Sequence, residues 1–503
     1  MTHSLYDLAV IGGGINGAGI AADAAARGLR VVLLEQNDLG SATSSASSKL
    51  IHGGLRYLER GDVRLVRSAL QEREVLLAIA PHIIWPLRFV LPHVDGMRHP
   101  AMIRAGLFLY DHLARRRQIP ASAGVDLRRD AMGKALKPEF ARGYSYWDCW
   151  ADDARLVILN ARAAARDGAD IQTHSRVISI EAAGDIWGLQ VASAAGLRDI
   201  RARAVVNAAG PWVDQVSSLT TGRVPSPATA DRPKIRLVKG SHIVVPRIAH
   251  ADDALLMQSP DGRVVFALPF EQAFTLIGTT DVAFNADPSQ ASIDDQEIGY
   301  LLGLAGQFFA CPLTRADIVW QFSGVRPLFD DGNPNASAVS RDYRLELPAG
   351  EGCPPLLTVL GGKLTTYRRL AQSAVDKLAP FFPALAPCST ALTPLPGGDF
   401  GDVGVLGFEA QARQRWPELP AALLTTLIRR YGTATTDVLG DAKTPGDLGT
   451  DFGGGLFARE VEYLATHEWA REPADVLWRR TKAGLHMTAN ERQIAEERLT
   501  KLL

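Results

Sequence analysis

Two histidines, two arginines, a lysine and a tyrosine stand in glycine-punctuated stretches: His52, Arg56, Tyr57, His242, Arg326 and Lys363. An arginine fork grips two oxygens of one anion at once, which suits a phosphate. Arg56 follows the pair Gly53-Gly54, and Arg326 lies in Ser323-Gly324-Val325-Arg326-Pro327. Both motifs carry turn residues, where a side chain can project into a cleft, and Gly324 and Pro327 stiffen the frame of Arg326. Histidine accepts protons near neutral pH. His242 opens an apolar strand pattern and is the first candidate base, with His52 the second. Each has a plainer alternative: a solvated ion pair for the arginines, a satisfied core side chain for His242, packing for Tyr57. Thr279, Thr280 and Asp281 follow the strand pattern Phe274-Thr275-Leu276-Ile277 and either order the site or form an ordinary turn.

Such groups need a scaffold, and the N-terminus supplies one. Leu8-Ala9-Val10-Ile11 reads as a buried parallel strand. Gly12-Gly13-Gly14-Ile15-Asn16-Gly17 satisfies G-x-G-x-x-G, a small-residue helix follows to about Arg27, and Gly28 ends it. Val31-Val32-Leu33-Leu34 is a second strand with Glu35 at its carboxyl end, 18 residues after Gly17. Gly12 allows the tight turn, Gly14 admits a pyrophosphate, Gly17 lets helix and strand touch, and Glu35 accepts from a ribose. The helix N-terminus offers free N–H groups to phosphate. This is a Rossmann-type dinucleotide unit.

Three features favour FAD over NAD. The hydroxyl run Thr43-Ser44-Ser45-Ala46-Ser47-Ser48-Lys49 follows the ribose acid closely. Val205-Val206-Asn207-Ala208-Ala209-Gly210 reads as a strand returning to the same sheet. Leu356-Leu357-Thr358-Val359-Leu360, then Gly361-Gly362-Lys363-Leu364-Thr365-Thr366, places a glycine turn and helix start where they stabilise negative charge on a flavin. The expected organisation is an α/β FAD-binding Rossmann-type domain (residues 1–82, 145–222 and 336–385) and an antiparallel-sheet substrate domain (83–144 and 223–335). A linker at 386–402 and a C-terminal all-α cap domain at 403–503 complete it. The linker is rich in proline and glycine, and so is the expected domain crossing at 221–234.

These stretches together resemble the FAD-dependent, aerobic-type glycerol-3-phosphate dehydrogenases of the D-amino-acid-oxidase-like flavoprotein superfamily. The likeness is carried by residues 11–17, by the run continuing through Leu50-Ile51-His52-Gly53-Gly54-Leu55-Arg56-Tyr57, and by Lys239-Gly240-Ser241-His242-Ile243-Val244-Val245-Pro246. Ile277-Gly278-Thr279-Thr280-Asp281, Ser323 through Leu328, and Gly361 through Arg368 add to it. The resemblance implies oxidation of sn-glycerol 3-phosphate to dihydroxyacetone phosphate, with FAD passing electrons to a membrane quinone. It implies His242, Arg326 and His52 as catalytic groups, and Arg56, Tyr57, Arg326, Lys363 and Thr279 around the substrate. The implied cofactor contacts are Gly12, Gly14, Ile15, Asn16, Gly17, Glu35, Thr43, Ser44, Ser45, Ser47, Lys49, Leu50, His52, Val177, Gly210, Gly362, Lys363, Leu364 and Thr365.

Composition narrows the rest. With 503 residues the chain exceeds one core, and 47% apolar with 22% charged residues is ordinary for a globular protein. Lys plus Arg total 54 against 55 acidic residues, a balance that disfavours nucleic acid as a partner. The four cysteines are scattered, as in a reducing cytoplasmic setting, and the first residues show no signal-peptide pattern. No apolar run is long enough to span a bilayer. Yet Met102-Ile103-Arg104-Ala105-Gly106-Leu107-Phe108-Leu109-Tyr110 with Arg115-Arg116-Arg117 could lie in a membrane interface, and the resemblance favours peripheral attachment to the inner face of the cytoplasmic membrane. A homodimer is compatible. The eleven dispersed histidines give no metal site, and no G-x-S-x-G suggests a hydrolase. The rival readings are a glycerol-3-phosphate oxidase using oxygen and an amine or glycine oxidase of the same superfamily.

Overall fold

The computed structural model describes residues 5–94, 99–221, 235–248, 252–259, 263–329, 342–348 and 353–503. The expected domain crossing falls almost wholly outside them.

Alternating apolar strands and a helix of small residues build the first layer. Strand β1 (Leu5–Ile11) is parallel to β2 (Val31–Leu34) on one side and to β10 (Gly196–Asn207) on the other. β2 pairs with β7 (Asp170–Gln172). The first half of β10 joins an antiparallel meander with β9 (Ile186–Ser193) and β8 (Arg176–Ala183), and β11 (Thr220–Thr221) edges β8. The second half of β10 takes β19 (Leu356–Leu360) in parallel, and β18 (Arg344–Glu346) pairs with β19. The chain therefore leaves and returns to this sheet, as the separated strand patterns require. Helix α1 (Ile15–Ala26) packs between α4 (Asp153–Arg166) and α7 (Tyr367–Leu378). Its alanines and glycines permit the approach: a Cβ on Gly19 would stand 2.8 Å from the Tyr367 ring.

The second sheet has ten strands in the order β16-β12-β15-β14-β13-β4-β6-β3, with β17 on β12 and β5 on β6. These are β3 (Leu50–Ile51), β4 (Ile84–His93), β5 (Ala123–Asp126), β6 (Arg142–Ala151), β12 (Ile235–Pro246), β13 (Ala254–Gln258), β14 (Val264–Phe270), β15 (Phe274–Gly278), β16 (Val282–Ala283) and β17 (Trp320–Phe329). All pairs are antiparallel except β13 with β4. Helix α6 (Asp295–Phe308) covers one face, started by a reciprocal cap between Asp294 and Glu297. Helices α2 (Val63–Ile79) and α3 (Pro100–His112) lie toward the other. The expected domain limits shift here, because β6 and the short β3 belong to this sheet and not to the dinucleotide one.

A short α5 (Val213–Ser218) follows β10. The C-terminal part has its own core, built by α8 (Gly404–Arg415), α9 (Ala421–Tyr431), α10 (Thr435–Leu439), α11 (Ala458–His467) and α12 (Ala489–Leu502). It is not purely helical: β20 (Asp451–Gly453) and β21 (Leu456–Phe457) form a hairpin. The glycine-proline linker is seated on the fold rather than a loose spacer. Leu395 N–H donates to the Ile79 carbonyl, and a Cβ on Gly397 would stand 2.0 Å from the Tyr431 carbonyl.

Candidate active site

One continuous cleft runs from the end of β1 to the face of the second sheet. Its first end is made of backbone. Gly12 takes φ +109°, and a Cβ there would stand 2.5 Å from the Ala208 carbonyl. A Cβ on Gly17 would stand 1.8 Å from the Gly12 carbonyl, so helix α1 can leave the sheet only at a glycine. Its N-cap residue, Gly14, has no side chain to cap it, and no acidic residue sits in its first turn. The positive end of its dipole therefore faces the cleft. Glu35 is held by the N–H groups of Gly13 at 2.6 Å and Asn37 at 2.8 Å. Ser44 Oγ accepts from Ile15 N–H at 3.0 Å, and Thr43 donates to the Val325 carbonyl at 2.6 Å, tying the loop to both sheets. Asn16 donates to the Gly361 carbonyl at 3.1 Å, joining the first glycine turn to the last. Glycines that exclude side chains, a helix start with glycine at its N-cap and a carboxylate behind them fit the pyrophosphate and ribose of FAD.

The other end is made of side chains. Gly54 (φ +81°) starts the 3-10 turn Leu55–Arg60, which sets Arg56 and Tyr57 on the cleft wall. Lys363 Nζ lies 3.8 Å from the centre of the Tyr57 ring, a cation–π pair. Arg326 projects from the middle of strand β17, not from a turn as its glycine and proline neighbours suggest. Its guanidinium donates to Asp281 at 2.6 Å and to Thr279 Oγ1 at 2.9 Å. Thr280, behind them, donates to Glu297 at 2.6 Å. His52, Leu50, Val177, Gly210, Gly362, Leu364 and Thr365 also line the cleft, and Thr365 Oγ1 accepts from His52 N–H at 3.1 Å.

Four expected roles change. His242 is 1% exposed in mid-strand β12 and does not reach the cleft. Its Nε2 meets Ser48 Oγ at 2.9 Å, its ring stacks on Phe322, and Ser48 stands on the cleft wall in front of it. Burial pushes its imidazole well below the usual histidine range, and Arg326 and Lys49 push the same way. A neutral, enclosed ring supports Ser48 and is badly placed to take a substrate proton. Lys49 is buried against Asp153 at 2.6 Å. Ser47 Oγ donates to the same carboxylate at 2.7 Å, although Ser47 still touches the cleft. Ser45 donates to the Ala42 carbonyl and does not line the cleft. The hydroxyl run therefore divides its work: Thr43, Ser44 and Ser48 face inward, while Ser47 and Lys49 anchor the loop.

The motifs did not reveal Asp281 as the partner of Arg326, nor the apolar wall of Leu91, Tyr146, Leu256, Val264 and Phe266 with Gln258. Alternation along β4, β6, β13 and β14 marks those residues as one face, but not as a cleft. Among the described residues no cluster of His, Cys, Asp or Glu could hold a metal ion.

Residues 7–368 match the FAD dependent oxidoreductase family, and residues 388–502 match the C-terminal domain of alpha-glycerophosphate oxidase. A glycerol-3-phosphate dehydrogenase of Pseudomonas aeruginosa is 51% identical over 97% of this chain and 93% of its own length. The aerobic glycerol-3-phosphate dehydrogenase of Escherichia coli is 48% identical over 96% and 95%. The solved glycerol-3-phosphate dehydrogenase of Bacillus halodurans complexed with FAD superposes with a TM-score of 0.75, at 26% identity, covering 100% of this chain and 95% of that one. Backbone cradle, cationic wall and full-length likeness converge: the chain belongs to the FAD-dependent glycerol-3-phosphate dehydrogenase family of the FAD dependent oxidoreductases.

Proposed function

We propose that this protein oxidises sn-glycerol 3-phosphate to dihydroxyacetone phosphate and delivers the electrons to a quinone at the membrane surface. The observation that carries the reading is the trio Arg56, Lys363 and Arg326 on the cleft wall beside the glycine cradle. When bound, FAD supplies the hydride acceptor. Arg326 presents a guanidinium already oriented by Asp281 and Thr279, and holds the phosphate with Arg56 and Lys363. His52 replaces His242 as the group that accepts the C2 hydroxyl proton, because it lines the cleft, with its ring edge-on to Phe266 of the apolar wall. Leu256, Phe266 and Tyr146 form the apolar wall that keeps water from the reacting carbon. A carboxylate substrate, as in the amine oxidases, would leave two of the three cations without work.

Attachment to the inner face of the cytoplasmic membrane is supported by helix α3. Met102, Phe108 and Leu109 are 64%, 65% and 43% exposed, beside the exposed Arg104, Arg115 and Arg117. No helix among the described residues is long and apolar enough to cross a membrane, so α3 would lie in the headgroup layer.

The test is anaerobic addition of sn-glycerol 3-phosphate to the purified yellow protein, with glycerol and glycine as controls. Flavin bleaching by the phosphate ester alone is expected. Bleaching by glycine, or none by the ester, overturns the reading. Reoxidation should be fast with a soluble quinone analogue and slow with oxygen; the reverse makes the protein an oxidase.

A further inference from the structure

The loop between Glu35 and Lys49 lines the cofactor end of the cleft, yet neither of its anchors belongs to the cleft. Near its start, Asp38 is 2% exposed and carries three charge-assisted bonds from the C-terminal domain. Arg479 Nε and Arg480 Nη1 each donate to Oδ2 at 2.6 Å, and Arg480 Nη2 donates to Oδ1 at 2.7 Å. Two residues on, Gly40 N–H donates to the Gly13 carbonyl of the glycine turn at 3.0 Å. At its far end, Ser47 and Lys49 are fixed by Asp153. The adjoining Asp152 accepts both bonds of Lys482, again from the C-terminal domain. Arg155, one helical step further, forks onto Glu468, whose own carbonyl accepts from Arg480 at 2.6 Å. A chain of alternating buried charges thus crosses from the C-terminal domain to both ends of one loop.

The backbone is shaped for this contact. Asp475–Arg480 is a π-helical turn, which lets the consecutive Arg479 and Arg480 reach one carboxylate. Lys482 adopts φ +56°, a left-handed conformation that lysine rarely takes. Buried ion pairs are poor sources of net stability compared with apolar packing, and their best-attested use is to fix one arrangement among several. Here the fixed arrangement is that of the loop carrying Thr43, Ser44 and Ser48.

We propose that residues 475–482 of the C-terminal domain are a positioning element for the cofactor: by clamping Asp38 and Asp152 they set the loop that closes over FAD. Arg479, Arg480 and Lys482 touch no part of the cleft. Their effect is on how tightly and how long the cofactor is held.

The test uses the full chain. FAD affinity and release rate are read by flavin fluorescence, and the unfolding midpoint of the FAD-free protein is read beside them. Arg480→Met is expected to weaken FAD binding at least tenfold and to speed release. Adding Asp38→Asn to Arg480→Met should cost no more than the about threefold that belongs to Arg479, because the rest of the effect runs through the contact already lost. Arg479→Gln removes only the more exposed partner and should weaken binding about threefold with the FAD-free midpoint unchanged; it keeps the test open should Arg480→Met fail to fold. Wild-type affinity and release rate in folded Arg479→Gln or Arg480→Met protein, or a lowered FAD-free midpoint alone, overturn the proposal.

Discussion

The two ends of the cleft recognise charge by opposite means. At the cradle, the selective elements are missing side chains: Gly12, Gly14 and Gly17 leave room, and the start of α1 supplies N–H groups. At the cationic end, every selective atom sits at the tip of a long side chain and is aimed by a neighbour: Arg326 by Asp281 and Thr279, Lys363 by the ring of Tyr57. A backbone site tolerates almost no substitution where a Cβ would meet backbone, as at Gly12 and Gly17, because nothing can rotate away. A side-chain site can be weakened in steps.

The largest effect should come from Gly17→Ala. Its Cβ would meet the Gly12 carbonyl at 1.8 Å, so helix or sheet must move. A loss of at least about 3 kcal/mol, roughly a hundredfold or more in FAD affinity, is expected, with protein purified nearly colourless. Gly14→Ala sharpens the point: there the nearest atom is Ser44 Oγ at 3.1 Å, a hydroxyl that can turn, and flavin content should fall far less. At the other end, Arg326→Ala should keep its FAD and lose about 3 kcal/mol of transition-state binding, more than a hundredfold in kcat/KM. Arg326→Lys should recover little, since lysine has no fork. If Arg326→Ala lost flavin instead of turnover, the division between the two ends would fall.

Histidines give a third contrast. Burial lowers the His82 imidazole to about 3, and neither ring nitrogen has a partner among the described residues. The folded state therefore keeps this ring neutral while the unfolded chain takes a proton below about pH 6.5, so stability falls as pH drops. The slope is about 1.4 kcal/mol per unit, or about 2 kcal/mol at pH 5. His82→Leu should flatten it in urea unfolding at pH 5 and 7, with kcat/KM at pH 7 unchanged. The smallest effect belongs to Asp281→Asn, which leaves Arg326 charged but less firmly aimed. About 1 kcal/mol, or several-fold in kcat/KM with FAD content intact, is expected.

The same contrast explains what could be read in advance. The cradle is written in consecutive residues, so spacing alone located Gly12, Gly17 and Glu35, and the strands ending at Asn207 and Leu360. The cationic wall is assembled from the 3-10 turn Leu55–Arg60, strand β17 and the turn that follows β19, and only its arginines and lysine stood out. Asp281 could equally order the site or form an ordinary turn, because its pairing with Arg326 depends on strand register. The two readings of His242 could not be separated for a related reason: a histidine in an apolar strand reads the same whether its ring meets a cleft or Phe322. Lys49 failed differently, since a motif shared with a family does not say which way each side chain faces. The buried charges at Asp38 and Asp152 were invisible, their partners lying more than 300 residues away.

The bond from Asn16 to the Gly361 carbonyl spans 345 residues. A ribosome adding about 5–20 residues per second needs tens of seconds to cover that distance. Through all that time the nascent N-terminal glycine turn exists without its last wall. The cradle can therefore close only once Gly361, about seven-tenths of the way along the 503-residue chain, has been made, and the long-range pairing of β10 with β19 makes this a slow-closing topology. A chain released before that point would carry the glycine turn without its last wall, the form most exposed to proteases.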